Sequence, residues 1–590
     1  MPEYTNPNQT GGGQDSRLFT VMILVMFAAI FGYQWWQLKH TPPPEPQHAT
    51  PAAQSQSASS AAATQGAPTG PATVAEVKAT GESTTVVENE LYRITFSNHG
   101  AQVTSWVLKK YKDGEGHPLD LVHDEAAKIY GYPMSLYTYD ATLTQAISQA
   151  LYVPSATGTL QAPATLSFEY AAGNVTVKKT FSFGADYVVH ADTLVTRGGS
   201  PVRALLSWPM GLGDMEGTSS FASSQIDTAY KNNDDHVAFK KVTGGATLNG
   251  PFDYAGTSDQ YFAAIFMPDQ PTDATVVTFH DMVDAAQFTK GSRLRQFVTN
   301  DKPAKLPMLG AAVGSLSGHN EERVFVGPKA MTVLASVTTA TGTSLKSVLD
   351  FGFFGPIGKY LFVALHFVQE HVVSNWGWAI ILFTLFINIV LLPLRIQSMR
   401  SALKMQRIQP ELDKIKAKYK NPGPTDPKAA EMNAEIMDYQ KSQGVSMFGG
   451  CIPSLIQLPL LFAFFTMMTR VVELRQAHWY WLHDLSAADP YHILPIFMVL
   501  TSFLVQFYTP SPGVDPQQQR MMAFMMPAFS GWMTWNYASG LALYWNTGNL
   551  VMILMQLGIN YSSLGKEMKK LAADRAARKS AGPKVIQGKR

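Results

Sequence analysis

The sequence predicts a polytopic α-helical membrane protein with six transmembrane helices and a large antiparallel β-sandwich domain held outside the bilayer. Three observations predict it. Six apolar segments of near-spanning length are present in the 590 residues, one near the start and five between 376 and 557. Between the first and the other five lie short runs of alternating apolar and polar residues, the pattern of half-buried strands. Lys and Arg concentrate in one loop and in the tail, which sets the orientation of the whole chain.

The composition agrees with a membrane protein. Charged residues make up 15% of the chain, against roughly 25% in soluble domains. The net charge of +2 implies no strong polyelectrolyte partner for the chain as a whole. The single cysteine, Cys451, excludes an intramolecular disulfide and reads as a small apolar residue in a helix.

Residues 1–17 form a cytoplasmic N-terminus. Residues 18–36 carry no charge and end in Tyr33, Trp35 and Trp36, aromatic residues suited to the membrane interface. A cleavable signal peptide would be shorter and would end in a small-x-small site. The reading is therefore an uncleaved signal anchor. Residues 41–76 are rich in Pro, Ala, Ser, Gln and Thr; such a stretch cannot bury a core and is expected to be a disordered tether. Residues 77–345 contain the alternating runs, for example Val175-Thr176-Val177-Lys178-Lys179-Thr180-Phe181, and read as one β-sandwich domain.

Residues 351–373 follow a helical pattern. Phe353, Phe354, Ile357, Leu361, Ala364, Leu365 and Val368 share one face, and Lys359, His366 and Glu370 another. This predicts an amphipathic helix lying in the interface. Five apolar segments follow at 376–394, 451–469, 491–508, 521–538 and 541–557, with Ser539-Gly540 read as the tight turn between the last two. Pro453, Pro459, Pro495 and Pro527 lie inside them, where neighbouring helices can satisfy the freed carbonyls.

The loop 395–446 carries ten Lys or Arg against six acids, and the tail 562–590 nine against two. The loop 471–490 carries only Arg475 against Glu473, Asp484 and Asp489. The basic loop and tail are thus cytoplasmic, and 471–490 and the β domain lie outside. In a Gram-negative cell, the outside is the periplasm. Within the basic loop, two helices at 395–419 and 427–443 flank Asn421-Pro422-Gly423-Pro424, which predicts an antiparallel helical hairpin.

Polar side chains inside apolar helices are functional candidates. Asn388, Gln457, Gln506 and Gln556 fall in the cytoplasmic halves of their segments, and Asn549 near mid-depth. The outer halves are largely apolar, Thr534 and Asn536 excepted. Converging amides would line a wet cavity reaching part way across; the alternative is that they only hold helices together. Residues 376–561 hold these segments and the hairpin as one core.

In this core the chain resembles the YidC/Oxa/Alb insertase family. The matching stretches are Asn375-Trp376-Gly377, Gly449-Gly450-Cys451-Ile452-Pro453, Leu455-Ile456-Gln457-Leu458-Pro459, Glu473-Leu474-Arg475-Gln476-Ala477, His483-Asp484-Leu485-Ser486, Asp489-Pro490-Tyr491, Met525-Met526-Pro527, Ser539-Gly540-Leu541 and Leu543-Tyr544. The anchor, tether and β domain, with Gln260-Tyr261-Phe262-Ala263, resemble the Gram-negative branch. The resemblance implies a cell inner-membrane insertase and chaperone, not an enzyme, that uses no nucleotide and no cofactor. It implies nascent integral membrane proteins as substrates, the Sec translocon as a partner, membrane lipid around the groove, and ribosome contact through the basic hairpin and tail. It also implies a groove open to cytosol and lipid, with Gln457, Trp535, Tyr544 and Trp545 facing substrate. Two positions depart from the family pattern. Asn388 stands where relatives often carry a basic residue, and Arg395, two turns on, is the candidate replacement cation. Ala538 stands where relatives usually have Pro, with only a local change expected at that turn.

Rival readings fit less well. A small-molecule transporter would favour inverted repeats, and none is visible. A tethered enzyme would need clustered catalytic groups, whereas His99, His123, His190, His236 and His280 are scattered without metal-ligand spacing. Gly211-Leu212-Gly213 does not open a strand-to-helix phosphate loop. A sugar or peptide site in the sandwich stays open.

Overall fold

A computed structural model describes residues 75–213, 224–231, 233–284, 305–419, 427–445, 452–508 and 516–580. The signal anchor 18–36, nearly all of the tether 41–76, the turn Asn421-Pro422-Gly423-Pro424 and Gly449-Gly450-Cys451 lie outside the described residues. The chain divides into two compact units, one holding Gln47–Asp350 with Arg470–Glu473, the other Phe351–Thr469 and Leu474–Arg590.

The first unit is built from three sheets among the described residues. The largest runs in spatial order Asn233–Ala238, Gln225–Tyr230, Tyr254–Ser258, Phe262–Pro268, His319–Pro328, Val188–Arg197, Val175–Phe183, Ala164–Ala172 and Val153–Pro154. The second contains Ala274–Asp284, Lys305–Ser315, Ala204–Trp208 and Ser135–Thr138, and the third Gln102–Lys112, Tyr92–Ser97, Thr84–Glu88 and Gly158–Gln161. Pairing is antiparallel with one exception: Thr84–Glu88 runs parallel to Gly158–Gln161. Aromatic side chains fill the spaces between sheets, with Phe96 against Phe168 and Phe181 and Trp106 against Trp208. Ala204–Trp208, Tyr254–Ser258 and Phe262–Pro268 are buried along their whole length, so they read as continuous runs and not as alternation. The Gln260-Tyr261-Phe262 stretch follows a turn closed by Asp259, whose Oδ1 accepts the N–H of Tyr261 at 2.8 Å and of Phe262 at 2.7 Å. Among the described residues three short α-helices decorate the unit: α1 (Asp124–Tyr130), α2 (Ala141–Ser148) and α3 (Met331–Ser336).

The second unit is helical. Its elements are α4 (Gly355–His371), α5 (Trp376–Val390), α6 (Leu392–Lys418), α7 (Pro427–Ser442), α8 (Ile452–Arg470), α9 (Ile493–Tyr508), α10 (Pro516–Thr534), α11 (Ser539–Tyr561) and α12 (Ser563–Ser580). α11 packs on α5 and α9, and α9 packs on α10. α6 and α7 pack through Ile408, Leu412, Met432 and Ile436, with Val445 just beyond α7 joining the cluster, and Lys418 pairs with Glu435 at 2.9 Å. α12 lies along α6, where Arg407 Nε donates to Glu567 Oε1 at 2.9 Å.

Three sequence readings change. The segment 376–394 is not one helix: it breaks at Leu391 and α5 and α6 meet at 49°. Pro393 explains the break, because it has no N–H to donate and crowds the preceding turn. The Ser539-Gly540 pair is not the turn between the last two segments. The turn is Trp535–Ala538, and Ser539 opens α11. Gly540 is needed there for close approach, since a Cβ would sit 3.0 Å from the carbonyl oxygen of Leu485. Finally, α4 has two apolar faces. Gly358, Leu361, Phe362 and Leu365 are buried, Phe354 stacks on Phe462, and Phe362 on Trp376. Phe353, Ile357, Tyr360, Val363 and Phe367 are exposed on the other side. The sequence pattern merged these faces because both are apolar.

Among the described residues no single helix is long and apolar enough to cross a membrane; the bent pair α5 and α6 passes that test together.

Candidate functional site

The cluster around Asn388 joins four helices, α5, α6, α8 and α11. Asn388 is buried near the end of α5 and donates through Nδ2 to the Thr384 carbonyl one turn back, at 2.8 Å. Its Oδ1 accepts from Arg395 Nη2 at 3.1 Å. Seven residues on a straight helix rise ~10 Å. The 49° bend at Leu391 and the length of the arginine close that distance. Arg395 is half-buried and interacts electrostatically with Tyr544 of α11. The Tyr544 ring lies on Phe464 of α8, with centroids 3.8 Å apart, and Phe464 lies on Phe383 of α5. The arrangement sets a guanidinium, a carboxamide and a phenol beside an aromatic wall. Chemically it can attract an anionic group and supply hydrogen bonds; it holds no nucleophile–base pair.

Asn549 is in a different network. Its Nδ2 donates to Thr501 Oγ1 at 3.1 Å and Ser502 Oγ at 3.0 Å. Asn546, one turn before, accepts from Thr501 Oγ1 at 3.0 Å and donates to the Leu494 carbonyl at 3.0 Å. Ser530 of α10 donates to Ser502 at 3.4 Å. This seam fastens α9, α10 and α11 to one another. Sequence reading selected Asn549 and missed Asn546, Thr501, Ser502 and Ser530. The i, i+3 spacing of Asn546 and Asn549 was the available signal.

The remaining candidates are dispersed. Gln556 is buried and donates to Asn560 of its own helix at 2.9 Å. Gln506 and Trp545 are half-buried, and Trp535 is exposed and stacks on His492 with centroids 4.2 Å apart. The side chain of Gln457 lies outside the described residues.

Several motif residues are scaffolding. Asn375 caps α5, accepting from Gly377 at 3.0 Å and Trp378 at 3.2 Å, and its Nδ2 donates to the His478 carbonyl at 2.8 Å. A Cβ on Gly377 would meet the Trp479 ring at 2.2 Å, so only glycine fits. Asp489 is buried and accepts from Tyr491 at 3.0 Å and Leu494 at 2.7 Å, fixing the start of α9. Ala538 holds φ at −48°, close to what proline imposes. The substitution there changes the residue and leaves the backbone proline-like.

Comparison with known proteins follows this division. Residues 84–364 match the family model described as the YidC periplasmic domain, and residues 367–566 the one described as 60Kd inner membrane protein. The membrane protein insertase YidC of Geobacter metallireducens is 31% identical over 515 residues, covering 85% of this chain and 89% of that one. The chain belongs to the YidC insertase family. A second family member, from Paraburkholderia phymatum, is 32% identical over 64% of this chain and 66% of its own. An active YidC insertase crystal structure with its first transmembrane domain resolved aligns over 83% of this chain and 95% of its own, at 17% identity and a TM-score of 0.32. As a YidC family member, the chain is an inner-membrane protein with a periplasmic β-sandwich domain. On that domain, one group missed in the sequence is Asp192, His319 and Glu321, all exposed, with His319 Nε2 2.8 Å from Asp192 Oδ1. Cross-strand pairing of Asp192 with Glu321 brings it together.

Proposed function

We propose that this chain inserts integral membrane proteins into the inner membrane, receiving them in a groove built on Asn388, Arg395 and Tyr544. The observation that carries the groove is the Arg395–Asn388 hydrogen bond, which sets a cation beside the amide where relatives often carry a basic residue. The mechanism follows from solvation. A charged group at the bilayer centre costs about 2.5–3.5 kcal/mol on insertion scales. Arg395, Asn388 and Tyr544 replace part of the lost hydration for the polar end of an incoming segment. The apolar part then leaves sideways into lipid, gaining ~0.8 kcal/mol per buried CH₂.

In this reading six helices span the membrane, with both termini cytoplasmic, as the Lys/Arg bias of 395–446 and 562–590 requires. α4 lies in the outer interface, its exposed Phe353, Ile357, Tyr360, Val363 and Phe367 in contact with lipid. The basic hairpin and tail meet the ribosome, and the Sec translocon works alongside for larger substrates. Asn549 belongs to the seam that holds the helices, not to the groove.

The test is reconstitution. The purified chain in liposomes should protect a single-span substrate, synthesised in vitro, from added protease well above the level of empty liposomes. Protection no greater than in empty liposomes, with correctly folded protein, overturns autonomous insertion.

A further inference from the structure

Residues Arg470–Glu473 fold with the sandwich unit, although Arg470 is the last residue of α8. Two side chains hold them. Arg470 Nη1 donates to the carbonyl oxygen of Asp350 and, at 2.9 Å, to its Oδ2. Glu473, in the helical turn Val472–Leu474, accepts the backbone N–H of Met331. Met331 is the first residue of α3, whose N-cap residue Ala330 makes no side-chain cap of its own. Between the two anchors, Val471 and Val472 are fully buried.

We propose that Arg470–Glu473 is a clasp by which the sandwich unit grips the chain where α8 ends, closed while Glu473 is neutral and loosened when it ionises. The geometry supplies the reason. Glu473 is half-buried, but its Oε2 is shut off from solvent and has no hydrogen-bond partner among the described residues. Burial pushes the carboxyl up to about 7; the N–H groups of Met331 and of Glu473 itself offset only part of this. Arg470, on the same segment, acts together with Asp227, Asp259 and Asp350 on Lys329 of the sandwich. None of them is a cause of the Glu473 shift.

The sign follows from proton linkage. The closed clasp binds the Glu473 proton more tightly than the open one, so closure weakens as pH rises from the usual glutamate range toward about 7 and is level above it. Hydrogen exchange of the full-length protein in micelles, corrected for intrinsic rates, reads this on peptides covering 325–337 and 470–476. The wild type should lose protection by up to about tenfold per pH unit in that window. Glu473→Gln keeps an acceptor without an ionisable proton and should stay protected across the window. Arg470→Ala should lower protection at every pH and leave the slope unchanged. Equal slopes in wild type and Glu473→Gln overturn the role of Glu473, and unchanged protection in Arg470→Ala overturns the clasp.

Discussion

Arg395→Ala should slow insertion of substrates whose translocated end is acidic by roughly tenfold, equivalent to ~1.4 kcal/mol in the barrier. The change removes the cation that hydrogen-bonds Asn388 and acts on Tyr544. Substrates with neutral ends should change by less than about twofold. Arg395→Lys should fall between, because lysine keeps the charge without the planar fork that donates to the Asn388 amide. Adding Asn388→Arg to Arg395→Ala should recover most of the rate by returning a cation to the adjacent turn. The measurement is the rate of protease-protected product in liposomes for a matched pair of substrates. An equal loss for both would mean that Arg395 only holds α6 against α5.

Lys179→Met should have the largest effect on stability. Lys179 is fully buried, and its Nζ donates to the carbonyls of Gly100 at 3.0 Å, Ala101 at 2.8 Å and Met134 at 2.9 Å. Ala101 and Met134 are non-glycine residues with φ of 46° and 61°, a region that L-residues rarely adopt. The ammonium thus fastens two strained turns to the strand Val175–Phe183. Methionine fills the stem volume and leaves three buried acceptors without their donor. The expected loss is roughly 3–5 kcal/mol, since each buried acceptor left without a donor costs about 1–3 kcal/mol. For a unit of this size the midpoint of its thermal transition should fall by about 10 °C. Circular dichroism of the purified chain reads it, and a shift under about 2 °C would show that the carbonyls find other donors.

These two side chains show how far the sequence could be read. Arg395 was visible because it lies two turns from Asn388 on the same helical face. The bend that closes the contact was not, since the break angle depends on packing against α11. Lys179 sits among Val177 and Phe181 on the inward face of an alternating strand, so the pattern already set a charge in the core. What satisfies it comes from turns distant in sequence, which no local pattern reports. The seam of Asn546, Thr501, Ser502 and Ser530 was hidden for a related reason. Thr501 and Ser530 also bond carbonyls of their own helices, so nothing local demands a partner. Ser539-Gly540 was misread because glycine signals a turn and a close approach equally well. Gln457 and Asn388 looked alike as intramembrane amides; only Asn388 has a described neighbourhood.

The most direct test of the groove is photocrosslinking from single positions to a stalled substrate. A photoreactive residue replaces Asn388, Tyr544 or Asn549 in turn, and adducts with a radiolabelled single-span chain are counted. The account predicts strong adducts from 388 and 544, and background from 549, which is enclosed in the seam of α9, α10 and α11. Adducts from 549 with none from 388 would contradict it and move the substrate path to that seam.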